Sequence, residues 1–444
     1  MRIFLLAVLG AGLVFGGADD TFLIRNATVH PISGPSVENA SVLVKDGKIA
    51  EVGVKIAAPK GVRVIEGKGL HVYPGMIDSA TQVGLSEISS VRETNDTGEI
   101  GEFNPQLRAV TAINPASEFI PVTRANGTTT AIVMPGSAGG GGGGGGELQA
   151  LLGGQSSYIL GQASLVNLDG WTWEEMEVRR GAALQMRLPQ MPQSLGRFAA
   201  LLGVEGPGGN MAEARRRLEQ QKRQVASFFE DARRYQKAKV AKDAGFKTDL
   251  RFEAMLPVLE GKLPVMITAT RERQIREAVA WAEKEKVKLV LAGVREPGKM
   301  AEELAKKKIP VIVGPTLALP LDDDDPYDAA FSLPAELHSA GVPIAFGSFG
   351  NQFARNLPYQ VANAVAFGLP RDVALKAVTV TPAEIWGVAG EMGSIEPGKL
   401  ANLMVTDGDP LETRTQVKHV FIRGKAADLE TKHTRLYQKY LARP

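Results

Sequence analysis

The stretch Pro74–Leu85, PGMIDSATQVGL, separates two kinds of sequence pattern. Before it, residues 21–72 consist of short apolar runs divided by turn residues, as in TFLIRNATVHPI and ASVLVKDGKIAEVG. Asp46-Gly47 lies between two such runs and predicts a hairpin turn, because both central residues of that turn need a positive φ. After PGMIDSATQVGL, apolar runs alternate with amphipathic ones. This stretch therefore begins a second architecture.

The middle of the chain, residues 74–387, alternates strand-like and helix-like patterns. Apolar runs such as LPVMITAT, VKLVLAGV and IPVIVGP are separated by amphipathic runs such as QIREAVAWAEKEK and KMAEELAKKK. Strands that alternate with helices at this spacing favour right-handed βαβ units and a parallel sheet. The region is long enough for the units of a (β/α)8 TIM barrel. An α/β fold built on such a barrel is therefore predicted.

Two segments interrupt this alternation. Residues 207–245 form a long, heavily charged helical pattern, for which a solvated helix face is favoured over a partner site. A run of glycines, Gly139–Gly146, follows the strand pattern TTTAIVMPG. A phosphate-binding loop would end in Gly-Lys followed by Ser or Thr, whereas this run ends in Glu147-Leu148. The glycines therefore predict a flexible barrel loop, with a mobile lid over the cleft as one form of it.

Strand-like patterns return near the other end of the chain, in GSIEPGKLANLMVTDGDP and VKHVFIRGK within residues 393–425. Together with the N-terminal block they predict one small β-sandwich domain, assembled from residues 19–73 and 388–425. The barrel with its insertion would occupy residues 74–387, and residues 426–444 would form a C-terminal tail.

The first residues differ from everything after them. Arg2 is followed by an apolar run over residues 3–15 and by the small residues GGA at 16–18. This order predicts a signal peptide over residues 1–18, since the apolar run is too short to span a bilayer. The mature protein is therefore expected to be periplasmic or secreted.

Composition limits the partners and the metal chemistry. The chain of 444 residues has 51 basic and 49 acidic side chains, a formal net charge of +2. Such a balance creates no general attraction for nucleic acid or for a membrane surface, so neither is an expected partner. The chain has no cysteine, which leaves out disulfides and thiolate metal sites.

Both junctions of the predicted barrel carry a family resemblance. PGMIDSATQVGL resembles the amidohydrolase superfamily motif Pro-Gly-x-Ile-Asp-x-His-x-His at the end of the first barrel strand, except at the two histidines. LKAVTVTPAEIWGVAGEMGSIEPGKLANLMVTDGDP is similar to that family's exit from the barrel into its split β domain. The chain thus resembles an exported, imidazolonepropionase-like member over nearly all of its mature length. The resemblance implies hydrolysis of carbon–nitrogen bonds with Zn²⁺ or another divalent metal.

The resemblance also implies where the metal ligands would lie, and this chain has other residues there. Residues i and i+2 of a strand face the same way, so a His-x-His pair can hold one ion. Ala80 and Gln82 occupy these two positions. Thr268 stands at the fifth-strand histidine, Gly293 at the sixth-strand histidine, and Phe349 at the catalytic aspartate of the eighth strand. Since metal-dependent hydrolysis needs both the ion and a carboxylate, we expect no bound metal, no cofactor and no catalytic residue among these positions.

Other metal-binding residue types do not form a replacement set in the sequence. The chain has 5 histidines, and for each a structural or surface role is favoured over a ligand role: His30, His71, His338, His419 and His433. The run Asp322–Asp325 lacks the alternate spacing of a calcium loop, so a solvated turn is favoured there. The fourth-strand lysine or glutamate that bridges two metals in some family members has no counterpart that the sequence can place.

Polar residues that follow barrel strands are candidates to line the cleft. The candidate ligand contacts are Ser348, Asn351 and Arg355. Gln82 and Thr268 could also hydrogen-bond a neutral ligand, with Phe349 as an apolar wall, although packed and hydrogen-bonded side chains are the simpler interpretation. No serine has the Gly-x-Ser-x-Gly context of a nucleophile. A Ser-Lys or two-carboxylate arrangement stays open, because such groups meet in space rather than in sequence.

These observations lead to three functional hypotheses. The first is a catalytically degenerate member that keeps the fold as a binding or partner module, for a small-molecule ligand or for an intact paralogue. The alternative is an active exported hydrolase of carbon–nitrogen bonds that uses an unrecognised metal set or a metal-free mechanism. The third is a subunit of a larger exported hydrolase complex, which would co-purify with an intact paralogue. A homo-oligomer is compatible with each of them.

Overall fold

The computed structural model describes residues 20–88, 90–136, 157–190, 211–241 and 245–443. The predicted signal peptide, the run of glycines, and residues 207–210 and 242–244 of the charged insertion lie outside the described residues.

Strands and helices alternate through most of the described chain. The strands are β1 Phe22–Val29, β2 Val37–Lys45, β3 Lys48–Gly53, β4 Arg63–Glu66, β5 His71–Pro74, β6 Met76–Thr81, β7 Thr128–Val133, β8 Ile159–Asn167, β9 Glu177–Met186, β10 Val265–Thr268, β11 Leu289–Ala292, β12 Val311–Val313, β13 Ile344–Phe346, β14 Leu403–Thr406, β15 Val417–Ile422 and β16 Lys425–Ala426. The α-helices are α1 Phe119–Arg124, α2 Trp173–Met176, α3 Met211–Ala241, α4 Leu250–Leu259, α5 Glu272–Glu285, α6 Met300–Lys307, α7 Ala329–Ser339, α8 Leu357–Ala366, α9 Arg371–Lys376, α10 Val380–Ile385 and α11 Lys432–Leu441. Short 3-10 helices span Arg92–Thr94, Ala109–Ala112 and Ala354–Asn356.

Strands from both ends of the chain form one eight-stranded sheet. The strand order is β16-β15-β14-β5-β1-β2-β3, and β4 also pairs with β1. The predicted hairpin at Asp46-Gly47 joins β2 to β3, and its two residues have φ of 50° and 76°. Pairing of β5 with β14 links the two chain ends directly. The expectation that the two ends build one sheet is therefore met.

The predicted β-sandwich is not confirmed, because these strands belong to a single sheet. Residues 22–25 of β1 pair with β4, and residues 28–29 pair with β5. Asn26 lies between these two pairings with φ of 58°, where the register also shifts. The sheet encloses an apolar core of its own that includes Phe22, Val42 and Phe421. One bent sheet thus provides the burial that two layers would provide in a sandwich.

A second eight-stranded sheet forms a nearly closed barrel. Its order is β13-β12-β11-β10-β9-β8-β7-β6, so the barrel strands follow the chain from first to eighth. The sequence assignments of Thr268, Gly293 and Phe349 to the fifth, sixth and eighth strands agree with this order. The inward-facing Ile77, Met266, Val290 and Ile312 belong to one apolar cluster inside the barrel.

The prediction of a wholly parallel barrel is wrong at the third strand. β8 pairs antiparallel with both β7 and β9, whereas the other neighbouring barrel strands are parallel. The connection from β8 to β9, residues 168–176, contains only the single-turn helix α2. A parallel crossover needs a dozen or more residues, and a short connection joins antiparallel neighbours. The absence of a helical pattern before β9 was the signal for this reversal.

Barrel closure between β13 and β6 depends on two different contacts. Near the carboxyl ends of the strands, the N–H of Phe349 donates to the carbonyl of Ala80 at 2.7 Å. Lower down, Ala377 and Val378 lie between the strands: the N–H of Phe346 donates to Ala377 at 3.1 Å, and that of Ile77 donates to Val378 at 2.7 Å. The two strands therefore form no continuous ladder, and a direct backbone hydrogen bond joins this seam only near their carboxyl ends.

Gly347 makes this close approach sterically feasible. A Cβ added at Gly347 would lie 2.8 Å from the Cβ of Ala80 and 3.0 Å from its backbone nitrogen. We expect Gly347→Ala to lower the free energy of unfolding by about 1–3 kcal/mol, since the two strands would have to separate. Gly350→Ala is the matched control, because a Cβ there meets nothing within 4 Å. Chemical denaturation of both variants measures the difference, and equal stabilities would contradict this account of closure.

The charged insertion is only partly a solvated helix. α3 carries the predicted exposed charges, but Val225, Phe228, Phe229 and Ala232 are buried in the main core. The ring of Phe229 packs edge-on against Trp281 of α5, with centroids 5.2 Å apart. Spaced apolar residues within this run form the buried stripe. Among the described helices, none is both long enough and apolar enough to cross a membrane.

The segment that follows α10 packs against the barrel. Val388 and Met392 join the apolar cluster inside the barrel together with Trp386. The first strand of the composite sheet after the barrel, β14, begins only at Leu403. The domain boundary at residue 388 stays a prediction.

Candidate functional site

The candidate site is the mouth of the barrel, at the carboxyl ends of its parallel strands, where ligands bind in (β/α)8 folds. The structure brings the five positions singled out from the sequence to this end. Ala80 lies on β6, Thr268 ends β10, and the remaining three lie directly after a strand or in the loop that follows it: Gln82, Gly293 and Phe349.

Asp78, the aspartate of PGMID, connects β6 to the loop after β13. Its Oδ1 accepts hydrogen bonds from the backbone N–H groups of Ala80 at 3.2 Å and Ser348 at 2.9 Å. The side chain is fully buried, and its Oδ2 has no hydrogen-bond partner among the described residues. Burial raises the pKa of Asp78 to about 6, although hydrogen bonds from Ser348 oppose this rise. The part of the motif that this chain keeps therefore contributes to barrel closure.

Gln82 uses its amide group within the protein. Its Nε2 donates to the carbonyl of Gly136, in the loop after β7, and its backbone N–H lies 3.5 Å from the carbonyl of Gly350. The side chain is half-buried. These contacts join the first, second and eighth strand ends, so Gln82 acts as a structural link at the mouth.

Sequence reasoning missed Gln185, which the structure places at the fourth strand beside Thr268. Gln185 lies on β9 with 2% of its surface exposed, and its Nε2 donates to Oγ1 of Thr268 at 3.3 Å. Its Oε1 is buried without a partner in the described part of the chain. The signal was a single glutamine in the apolar run AALQM, facing inward like Ala183 two residues earlier.

Gly293 and Phe349 provide no donor side chain at the mouth. Gly293 has φ of 70°, and its N–H donates to the carbonyl of Ile312 at 3.1 Å. Phe349 is 3% exposed and belongs to the same apolar cluster as the inward-facing barrel residues. It also has a left-handed backbone, with φ of 55°. Phe349 is therefore a packed core residue at the position where the resemblance implies an aspartate.

The three predicted ligand contacts do not come together. Ser348 is buried, and its Oγ donates to Oγ1 of Thr81 at 2.9 Å. Asn351 donates to the carbonyl of Ser86. Arg355 lies in a 3-10 helix, and its guanidinium is 3.4 Å from Nε2 of His433 on α11. Each side chain is thus engaged by the protein, and Arg355 faces the C-terminal helix.

The histidines lie away from the barrel strand ends. His30 follows β1 and His71 begins β5, and their rings share a contact of 2.9 Å between Nε2 of His30 and Nδ1 of His71. Burial, with the neighbouring His71, lowers the pKa of His30 to about 4. The others lie on β15, α7 and α11: His419, His338 and His433.

One acidic group among the described residues has the spacing to hold a metal ion, formed by Asp322, Asp324 and Asp325. Asp322 accepts two hydrogen bonds from the guanidinium of Arg271, at 2.6 and 2.8 Å. Asp325 accepts the backbone N–H groups of Leu321 and Asp322 at 3.1 and 3.0 Å. These contacts account for an exposed turn, as the sequence predicted, without an ion.

The residues at the mouth do not fit a divalent metal. Zn²⁺ needs imidazole, thiolate or carboxylate ligands. The five matched positions and Gln185 instead carry a methyl group, two amides, a hydroxyl, a glycine and a phenyl ring. The amide nitrogen of Gln82 and that of Gln185 already donate to protein oxygens. The carboxylate nearest in sequence to Ala80 and Gln82 is that of Asp78, and one of its oxygens already accepts hydrogen bonds from two backbone N–H groups.

Comparison with known proteins gives a consistent family signal. A family model described as Amidohydrolase family matches residues 271–427. The curated amidohydrolase tasK of Hapsidospora irregularis is 24% identical over 439 aligned residues, which cover 93% of this chain and 43% of that protein. The chain therefore spans less than half the length of that relative.

Solved structures share the fold over nearly the whole chain. The crystal structure of an amidohydrolase from Thermotoga maritima MSB8 superposes with a TM-score of 0.76 at 29% identity, covering 92% of this chain and 99% of that one. Phenylurea hydrolase B has a TM-score of 0.54 at 15% identity, covering 92% of this chain and 97% of its own. At the lower identity the likeness concerns the fold alone.

Proposed function

Because the chain belongs to the amidohydrolase superfamily, whose activity is hydrolysis of carbon–nitrogen bonds, we propose that it keeps the superfamily fold without the superfamily's metal chemistry. On this proposal the protein is a binding or partner module. Its nearly closed barrel and composite sheet supply the scaffold, and the mouth supplies polar and apolar surface without metal ligands.

The burial of Phe349 in the barrel is the observation that carries the proposal. Hydrolysis of an amide by this fold needs an ion that polarises the carbonyl and lowers the pKa of water, together with a carboxylate that moves protons. A buried phenyl ring stands where the resemblance implies that carboxylate, and it packs into the barrel's apolar cluster. A change at one position could be compensated nearby, but Ala80, Gln82, Thr268 and Gly293 also lack metal-ligand groups.

The polar groups that remain favour a neutral, hydrogen-bonding ligand at the mouth. Gln82 and Thr268 are half-buried, and the buried Oε1 of Gln185 is an acceptor without a partner among the described residues. An amide or hydroxyl group of a ligand could satisfy that acceptor, since an unpaired buried acceptor costs free energy.

A partner role is the second candidate, and the comparison with tasK favours it. That relative is more than twice as long as the part this chain matches, since the chain covers 43% of it. A unit of this fold can therefore occur in one polypeptide with a further region. We propose an intact amidohydrolase as the partner class, and a stable complex of the two in size-exclusion chromatography would support it.

Metal analysis of the purified protein tests the principal proposal. We expect far less than one transition-metal ion per chain, because the mouth offers no imidazole or carboxylate set. We also expect no chelator-sensitive turnover of dipeptides, cyclic amides or lactones after addition of Zn²⁺, Mn²⁺ or Co²⁺. A metal-dependent amidohydrolase prepared in parallel is the control. One stoichiometric metal, or reproducible chelator-sensitive turnover, would instead support the alternative of an active hydrolase.

A further inference from the structure

Two histidines meet in the composite sheet, close to the strand that leads into the barrel. Nε2 of His30, just after β1, lies 2.9 Å from Nδ1 of His71, the first residue of β5. Nδ1 of His30 is 2.7 Å from Oγ of Ser36. The His30 ring also stacks on Tyr73 of β5, with ring centres 4.1 Å apart. Both ring nitrogens of His30 are therefore engaged, and β5 continues from this cluster into the first barrel strand, β6.

A short backbone pairing runs beside the two histidines. Only two residues of β1 pair with β5. The N–H of Thr28 donates to the carbonyl of Leu70, and the N–H of His30 donates to that of Val72, both at 2.9 Å. Because this pairing, the β1–β5 seam, has few hydrogen bonds, side-chain contacts beside it affect how often it opens.

The charged groups around His30 come from other parts of the chain. Arg371 of α9 forms an ion pair with Asp409, which follows β14. Glu396, on the segment that hydrogen-bonds the chain just after His30, forms an ion pair with Lys399. Both carboxylates are thus already paired with a cation, so neither is available as the partner of a second charge on the two histidines.

Two neighbouring imidazoles can share one proton but not two. While one ring is neutral, its unprotonated nitrogen accepts the hydrogen bond from the other ring. Once both rings are protonated, every ring nitrogen is a donor, and two positive charges meet at 2.9 Å. Burial, followed by His71 and Arg371, lowers the pKa of His30 to about 4, and Asp409 opposes this. Geometry and charge together make the contact sensitive to acid.

We propose that the contact between His30 and His71 is an acid-sensitive latch, which holds the β1–β5 seam while at most one ring is charged and releases it when both are. The unfolded chain binds a proton at His30 near pH 6.5, whereas the folded protein does so only near pH 4. The stabilisation is therefore present above pH 6.5 and is lost as the pH falls through about 4.

Hydrogen–deuterium exchange of the full chain, corrected for the intrinsic pH dependence of exchange, tests the latch. Protection of the amides of Thr28 and His30 should fall about tenfold or more between pH 7 and pH 4, a conservative figure because His30 is only partly buried. Protection of the amides of Leu291 and Gly293, which join β11 to β12 and its approach, should change much less. A local measurement is needed because Asp78 has the opposite pH dependence in an overlapping range.

Three variants identify the groups responsible. His30→Gln can make both side-chain contacts and is neutral at every pH, so protection of the seam should be nearly equal at pH 7 and pH 4. His71→Gln gives the same test from the other ring. His338→Gln removes a histidine from α7 and should keep the fall of the unchanged chain. No fall in the unchanged chain, an equal fall in both seam variants, or an equal fall at β11 and β12 would overturn the proposal.

Discussion

Replacing Phe349 with alanine is expected to lower the free energy of unfolding by about 3–5 kcal/mol. The phenyl ring is 3% exposed and belongs to the apolar cluster inside the barrel. Its removal forfeits the transfer free energy of the ring and leaves a cavity that packed neighbours fill only in part. Equilibrium unfolding in urea or guanidinium measures the loss.

Two further variants separate packing from backbone effects. Phe353→Ala removes the same side chain from a nearby site that is 61% exposed, and should change stability by less than about 0.5 kcal/mol. Phe349→Gly should be at least as stable as Phe349→Ala although it is smaller. The reason is that φ at this position is 55°, a conformation that glycine adopts without steric cost. A small effect of Phe349→Ala would mean that the ring does not fill the barrel interior.

The result bears directly on the proposed function. If Phe349 is a core residue, Phe349→Ala should cost stability and change no activity, since the proposed function involves no metal reaction at this position. A loss of turnover at unchanged stability would instead give Phe349 a place in an active site. The same variant therefore tests both the packing and the degenerate-site proposal.

Replacing Asp78 with asparagine is expected to change how stability depends on pH. Burial raises the pKa of Asp78 from 3.8 to about 6, so the folded protein holds this proton more tightly than the unfolded chain does. The resulting stabilisation is fully present below pH 3.8 and is lost as the pH rises through about 6. A shift of this size corresponds to about 3 kcal/mol. The free energy of unfolding of the unchanged protein, relative to that of Asp78→Asn, should therefore fall by about 3 kcal/mol between acid and neutral pH.

The comparison across pH isolates the titration. Asparagine keeps an oxygen for the N–H groups of Ala80 and Ser348, and any cost of its unpaired NH2 group is the same at each pH. Ser348→Ala gives a second readout: it keeps the backbone N–H but removes the side-chain hydrogen bonding of Ser348 that lowers the pKa of Asp78, so the transition should move to higher pH. Parallel stability profiles for the unchanged protein and Asp78→Asn would contradict the account of a buried, destabilised carboxylate.

Much of the fold followed from local pattern. The alternation of apolar and amphipathic runs after Pro74 predicted the barrel, and the strand-like runs at both chain ends predicted one shared sheet. The reversed strand β8 was missed because a strand's direction depends on the length of its connections rather than on its own residues. The buried stripe of α3 was missed because its apolar residues are spaced within a strongly charged run.

The sequence by itself determined which residue types occupy the mouth: no imidazole and no carboxylate at the five matched positions. It also determined that the Pro-Gly-x-Ile-Asp framework remains. Only the tertiary structure decided what those residues do. Hydrogen bonds and burial depend on groups distant in the chain, so Asp78 meets Ser348, Gln185 meets Thr268 and Phe349 enters the barrel core only once the strands are assembled.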